Sequence, residues 1–190
     1  SHNTVCVDGI SSYPVMKSNH SFDLLSCFPA SAEPGKAFTS VTYSNLYFRE
    51  PESRADQTRM MSIVTTGAET GYYVDVFRSR KEKGGDKMHD YFYHNLGQTL
   101  TLTAADGDDI YMNLWMKGEP DREIFTALAP MTEGLSRTPN MPYNIKEQPT
   151  LTFVARQHGE AWNRPFVSIY EPSTKKEPSA IQSVSYFDAE

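Results

Sequence analysis

The densest group of side chains able to do chemistry is Asp86-Lys87-Met88-His89-Asp90-Tyr91-Phe92-Tyr93-His94. Imidazoles and carboxylates in one short run suggest a metal site or an acid–base pair. The run alternates aromatic and polar residues, which predicts a strand, and successive strand side chains point to opposite faces. His89 and His94 are five residues apart, so a regular strand turns them to opposite sides, and one metal could join them only across a bulge. Two readings stand. In one, one imidazole is buried and hydrogen-bonded while the other is exposed. In the other, one of them faces a cleft.

Other candidates are more dispersed. Arg78 and Arg80 close a strand-like stretch beside Lys81 and Lys83. A guanidinium suits bidentate binding of a uronate or sulfate, and equally a solvated strand end. Trp115 and Trp162, with Tyr143 and Tyr13, are of the type that stacks on sugar rings or fills a sandwich core. No nearby Cys, His, Asp or Glu spacing gives His2 the convergent partners that zinc requires. Gly84-Gly85 lacks the following helix and Lys-Ser/Thr pattern of a phosphate loop. No serine-nucleophile motif is present.

The elements that must hold these residues are strands. Val5 and Val7 alternate with Cys6 up to an Asp8-Gly9 turn. Further strands are expected at 22–28, 41–48, 59–66, 71–80, 87–95, 98–103, 110–116, 150–156, 166–171 and 181–187. The pair flanking Gly84-Gly85 reads as a hairpin. Residues 121–128 are the one candidate helix, and 130–148, rich in Pro, Asn, Gly and Thr, read as a long loop. About ten to twelve strands with little helix indicate an all-β fold, an antiparallel β-sandwich formed as one domain over residues 1–190.

Composition narrows the function. The 190 residues carry 18 Lys and Arg against 24 Asp and Glu, a formal net charge of −6, with the basic residues scattered. Neither a nucleic-acid partner nor, for want of an apolar run of about 20 residues, a membrane span is expected. Cys6 and Cys27 are too few for a disulfide scaffold. They are free to pair, or Cys6 stays a buried thiol. The chain opens directly on a strand-like motif, as a piece of a longer protein would.

Three collinear stretches resemble the β-sandwich of heparinase II/III-like polysaccharide lyases: Ser1-His-Asn-Thr-Val-Cys-Val-Asp-Gly9; Tyr73-Val-Asp-Val-Phe-Arg78 with Gly84-Gly85 and His89-Asp-Tyr-Phe-Tyr-His94; and Arg164-Pro-Phe-Val-Ser-Ile-Tyr-Glu-Pro172. The resemblance implies a C-terminal β-sandwich that follows an N-terminal α/α toroid, in a periplasmic or secreted enzyme. It implies β-elimination on an acidic, uronic-acid-containing polysaccharide, with the C5 carbanion made tolerable by neutralising the carboxylate. In that family the catalytic Tyr, His and Asn come from the toroid, and a further His lies upstream of the His-Asn-Thr motif. No catalytic residue is therefore expected here. Some members bind zinc, and His2 matches one of three ligands, so no cofactor is expected in this segment and zinc belongs to the intact parent. The alternative from another class is a non-catalytic carbohydrate-binding sandwich, which exposed platforms at Trp115 or Trp162 would favour.

Overall fold

The computed structural model describes residues 4–10, 21–29, 40–83, 85–94, 102–103, 109–129 and 150–187. Eleven strands and no helix occur among them. They are β1 (Thr4–Val7), β2 (Asp23–Phe28), β3 (Val41–Glu50), β4 (Ala55–Thr65), β5 (Gly71–Lys81), β6 (Met88–His94), β7 (Leu102–Thr103), β8 (Asp109–Met116), β9 (Arg122–Ala129), β10 (Thr150–His158) and β11 (Ala161–Thr174). They form two antiparallel sheets, a four-stranded one in the order β1-β6-β10-β9 and a seven-stranded one in the order β2-β3-β4-β5-β11-β8-β7.

The sheets face one another across a shared core. Val5 and Val7 of β1, Tyr91 of β6 and Ala155 of β10 meet Ala55 of β4, Phe77 of β5, and Ala161 and Phe166 of β11. Val5 and Val7 are two residues apart, as a sheet with one packed face requires, and an irregularity in β11 between Ala161 and Phe166 lets both reach the core. Tyr91 and Phe166 lie across the interface with ring centroids 5.4 Å apart. The expected all-β sandwich is present.

Local chemistry fixes the turns. Asp8 (φ 52°) and Gly9 (φ 74°) both take the left-handed region, and Ile10 N donates to Val7 O at 2.9 Å. The expected Asp8-Gly9 reversal is of the type that favours such residues. At the start of β5, a Cβ on Gly71 would stand 2.6 Å from Val64 O, so the β4–β5 hairpin tolerates only glycine there.

Three elements differ from expectation. Residues 121–128 form strand rather than helix: β9 pairs with β10 from Thr150↔Ala129 to Gln157↔Arg122. The ladder with β10 overrides the weak local preference of this segment. The strands flanking Gly84-Gly85 are not a hairpin. β5 pairs with β4 and β11, and β6 with β1 and β10. The connection instead carries the chain from one sheet to the other. It is tied by Asp8, whose carboxylate accepts from Lys87 N (3.0 Å), Met88 N (2.9 Å) and Lys81 Nζ (2.7 Å). Finally, 181–187 is not a strand. Ala180 N and Ile181 N donate to the Glu171 carboxylate instead of to a neighbouring strand.

The proposed loop at 130–148 and most of the strand expected at 98–103 lie outside the described residues. Cys6 and Cys27 are both free and half-buried, so Cys6 is less enclosed than its apolar neighbours suggested. It lies on the face of β1 opposite Val5 and Val7.

Candidate functional site

Among the described residues the seven-stranded sheet extends past the four-stranded one, and the overhang makes a groove. Along β4 the inward-facing residues run from Ala55 and Gln57, both fully buried, to Met61 and Ile63, both exposed. Along β5 they run from Ser79 and Phe77 through Asp75 to Tyr73, which is 45% exposed. The groove encloses about 620 Å³. Tyr91 and Tyr93 of the smaller sheet wall its deep end, and Met112 of β8 and Tyr170 of β11 complete it. Tyr93 and Tyr170 stack with centroids 4.7 Å apart.

A polar network forms the floor. Arg59 grips Asp75 with two parallel bonds, Nε to Oδ1 at 2.9 Å and Nη2 to Oδ2 at 2.7 Å, and its guanidinium lies 5.3 Å from the Phe77 ring centroid. Tyr91 donates to Asp75 Oδ2 at 2.8 Å, and the Tyr91 and Tyr170 hydroxyls are in contact. A phenol has one proton. That of Tyr91 is committed to Asp75, so Tyr170 donates to Tyr91. Burial, followed by the Asp75 charge, pushes the Tyr91 phenol well above its usual pKa. Burial raises Tyr170 as well. Both are neutral hydrogen-bonding groups near pH 7, and neither is a ready base.

The residues singled out from the sequence go elsewhere. Arg78 is half-buried and Arg80 is exposed at the strand end. Arg80 lies over the Trp162 ring, 4.1 Å from its centroid, and Arg78 Nη1 donates to Trp162 O. The cross-strand contact of β5 with β11 brings these three together on the outer face, away from the groove. Trp115 is also half-buried on that face, opposite Ile169. Neither tryptophan is exposed as a free platform.

His89 is fully buried and faces the core on the same side of β6 as Tyr91. Its Nε2 is 3.2 Å from Asp86 Oδ2, but neither ring nitrogen has an aligned hydrogen bond. Of the two histidines, His89 is the buried one, with the Asp86 carboxylate beside it. Burial pushes its pKa below the usual value although Asp86 works against this, so the imidazole is neutral. His94 pairs with Thr152 in the ladder. His2, Tyr13 and Tyr143 lie outside the described residues.

Among the described residues no three His, Cys, Asp or Glu side chains converge as a metal site. The donor set among the described residues does not fit a zinc ion.

The sequence reading missed Arg59, Asp75, Tyr91 and Tyr170 as a group. The available signal was period-2 alternation in three separate strands, Arg59/Met61/Ile63, Tyr73/Asp75/Phe77 and Tyr91/Tyr93. Only the pairing of β4 with β5 and the packing of β6 over them shows that these positions meet.

The chain resembles an endo-acting ulvan lyase of Formosa agariphila, 27% identical over 191 aligned positions that take in 75% of this chain and 22% of the relative. The sequence is thus related to a polysaccharide lyase. The chain spans only about a fifth of that relative's length. No protein-family model matches the chain, and no solved structure matches it.

Proposed function

We propose that this chain is the β-sandwich region of a polysaccharide lyase of the heparinase II/III-like type. The parent acts by β-elimination on a uronic-acid-containing polysaccharide in the periplasm or outside the cell. An N-terminal α/α toroid supplies the base and acid, and any zinc site of the parent draws on ligands outside the described residues. In this reading the sandwich buttresses the toroid and forms one wall of the cleft, and by itself it does not turn substrate over.

The observation that carries the reading is the groove. Its aromatic side chains combine flat apolar faces with hydroxyls, which suits the mixed surface of a sugar chain. The kinship with a lyase supports a polysaccharide as its occupant. The floor phenols fit a binding role, since a general base must be deprotonated at working pH.

Formation of the unsaturated uronate product, followed by its absorbance, tests the proposal. The longer protein that joins this chain to its toroid is expected to act on ulvan or another uronan, and this chain alone to show no turnover. Clear turnover by the chain alone would overturn the division of labour. Absence of turnover by the longer protein on every uronan would overturn the lyase assignment and favour a non-catalytic carbohydrate-binding sandwich.

A further inference from the structure

The charge inventory of the groove selects among the units of a polysaccharide. Among the described residues, the charged side chains that line it are Arg59 and Asp75, and they form a bidentate pair of opposite charge. Met61 and Ile63, on the same face of β4, line the groove and are exposed near the rim. A uronate carboxylate or a sulfate seated there would lose water without gaining a counter-charge, which is strongly unfavourable. The floor discriminates in the same direction. Tyr170 gives its proton to Tyr91, so it turns only acceptor capacity toward the groove. Ser168 lies beside Tyr170 beneath the described lining. An anion offers Tyr170 a second acceptor, whereas a sugar hydroxyl offers it a proton.

We propose that the groove is a subsite for an uncharged sugar unit. The unit seats an apolar face on Tyr73, Met61 and Ile63 and donates a hydroxyl to Tyr170, while the neighbouring uronate lies outside the groove. This deepens the lyase reading and rests on it for the choice of a polysaccharide. It makes the chain a selector for polymers in which charged and uncharged units are mixed.

Saturation-transfer NMR on this chain tests the subsite with three oligosaccharides of equal length: one all uronate, one all uncharged, one alternating. In the alternating oligomer the transfer is expected on protons of the uncharged units, and the all-uronate oligomer is expected to show little. Tyr73→Ala, at an exposed position that threatens the fold least, should weaken binding of the uncharged and alternating oligomers by about tenfold. Tyr170→Phe should weaken the same two and leave the all-uronate oligomer as it was. Strongest transfer into uronate protons, or unchanged affinity in Tyr73→Ala, would overturn the subsite. The two readings separate cleanly. Lyase turnover by the longer protein with unchanged Tyr73→Ala binding removes the subsite alone. Binding of uncharged units without turnover on any uronan removes the lyase reading and leaves the subsite.

Discussion

Tyr170 donates its phenolic proton to Tyr91, because the single proton of Tyr91 is already held by Asp75 Oδ2 at 2.8 Å. The chain Tyr170 to Tyr91 to Asp75, closed by Arg59, links both sheets and fixes the polarity of the groove floor. Its anchor is the Arg59–Asp75 pair, with side chains 20% and 6% exposed. Removing one partner strands the other in a poorly solvated place. Asp75→Ala is expected to lower unfolding free energy by about 3 kcal/mol, read from urea denaturation. A loss below about 0.5 kcal/mol, the level of an exposed pair, would show that the network does not hold the sandwich.

The same network sets an alkaline limit. Tyr91 and Tyr170 have folded-state pKa values above the ordinary phenol value of 10.0. Their contribution is therefore complete below that value and is lost as pH rises from there through the raised folded values. Urea midpoints should fall as pH rises above about 10. Tyr91→Phe should flatten that fall while losing about 1 kcal/mol at neutral pH. An equal alkaline fall in the variant would contradict the assignment.

His89 sets a limit on the acid side. Its folded pKa lies below the ordinary 6.5, so the neutral form is the one the fold holds. The contribution is present above that value and is lost as pH falls through the lower folded one. Stability should decline as pH falls below about 6.5, and His89→Gln should remove that part of the decline. Thermal melts across the range measure it, and a variant with the same acid slope as the parent would exclude His89 as the source.

Arg122 closes the other end of the sandwich. Its guanidinium donates to Lys117 O (2.8 Å), Arg164 O (3.0 Å), Pro165 O (3.1 Å) and Gln157 Oε1 (3.2 Å), and it lies 4.6 Å from the Phe166 ring centroid. Burial brings its pKa down to about 10. Arg122→Leu should lose about 2–4 kcal/mol, because several carbonyls are left without a donor. Arg122→Lys should recover only part, since one ammonium cannot reproduce the planar fork. Full stability in Arg122→Lys would contradict this role.

Strand content was legible in the sequence because period-2 alternation is local: Val5/Val7, the β5 run and the β8 run needed no partner to be read. Pairing was not legible. Gly84-Gly85 carries the composition of a tight hairpin, and only the contacts of Asp8 with Lys81 and Lys87 show the chain changing sheets there. Residues 121–128 are the candidate helix of the sequence, and the β10 ladder decides otherwise. The candidate site was hidden for the same reason. Arg59, Asp75 and Tyr91 are distant in sequence, and of the eye-catching run from Asp86 to His94 only the tyrosines Tyr91 and Tyr93 reach the groove, while His89 is buried in the core.

Turnover of a uronan by the longer protein, compared with its Tyr73→Ala variant, tests the central claim most directly. The expected result is release of unsaturated uronate by the parent, with KM raised about tenfold in the variant and kcat little changed, as removal of a binding contact that does no chemistry requires. A parent without uronan turnover, or a variant with the parent's KM, would contradict the assignment of this sandwich and its groove to a lyase cleft.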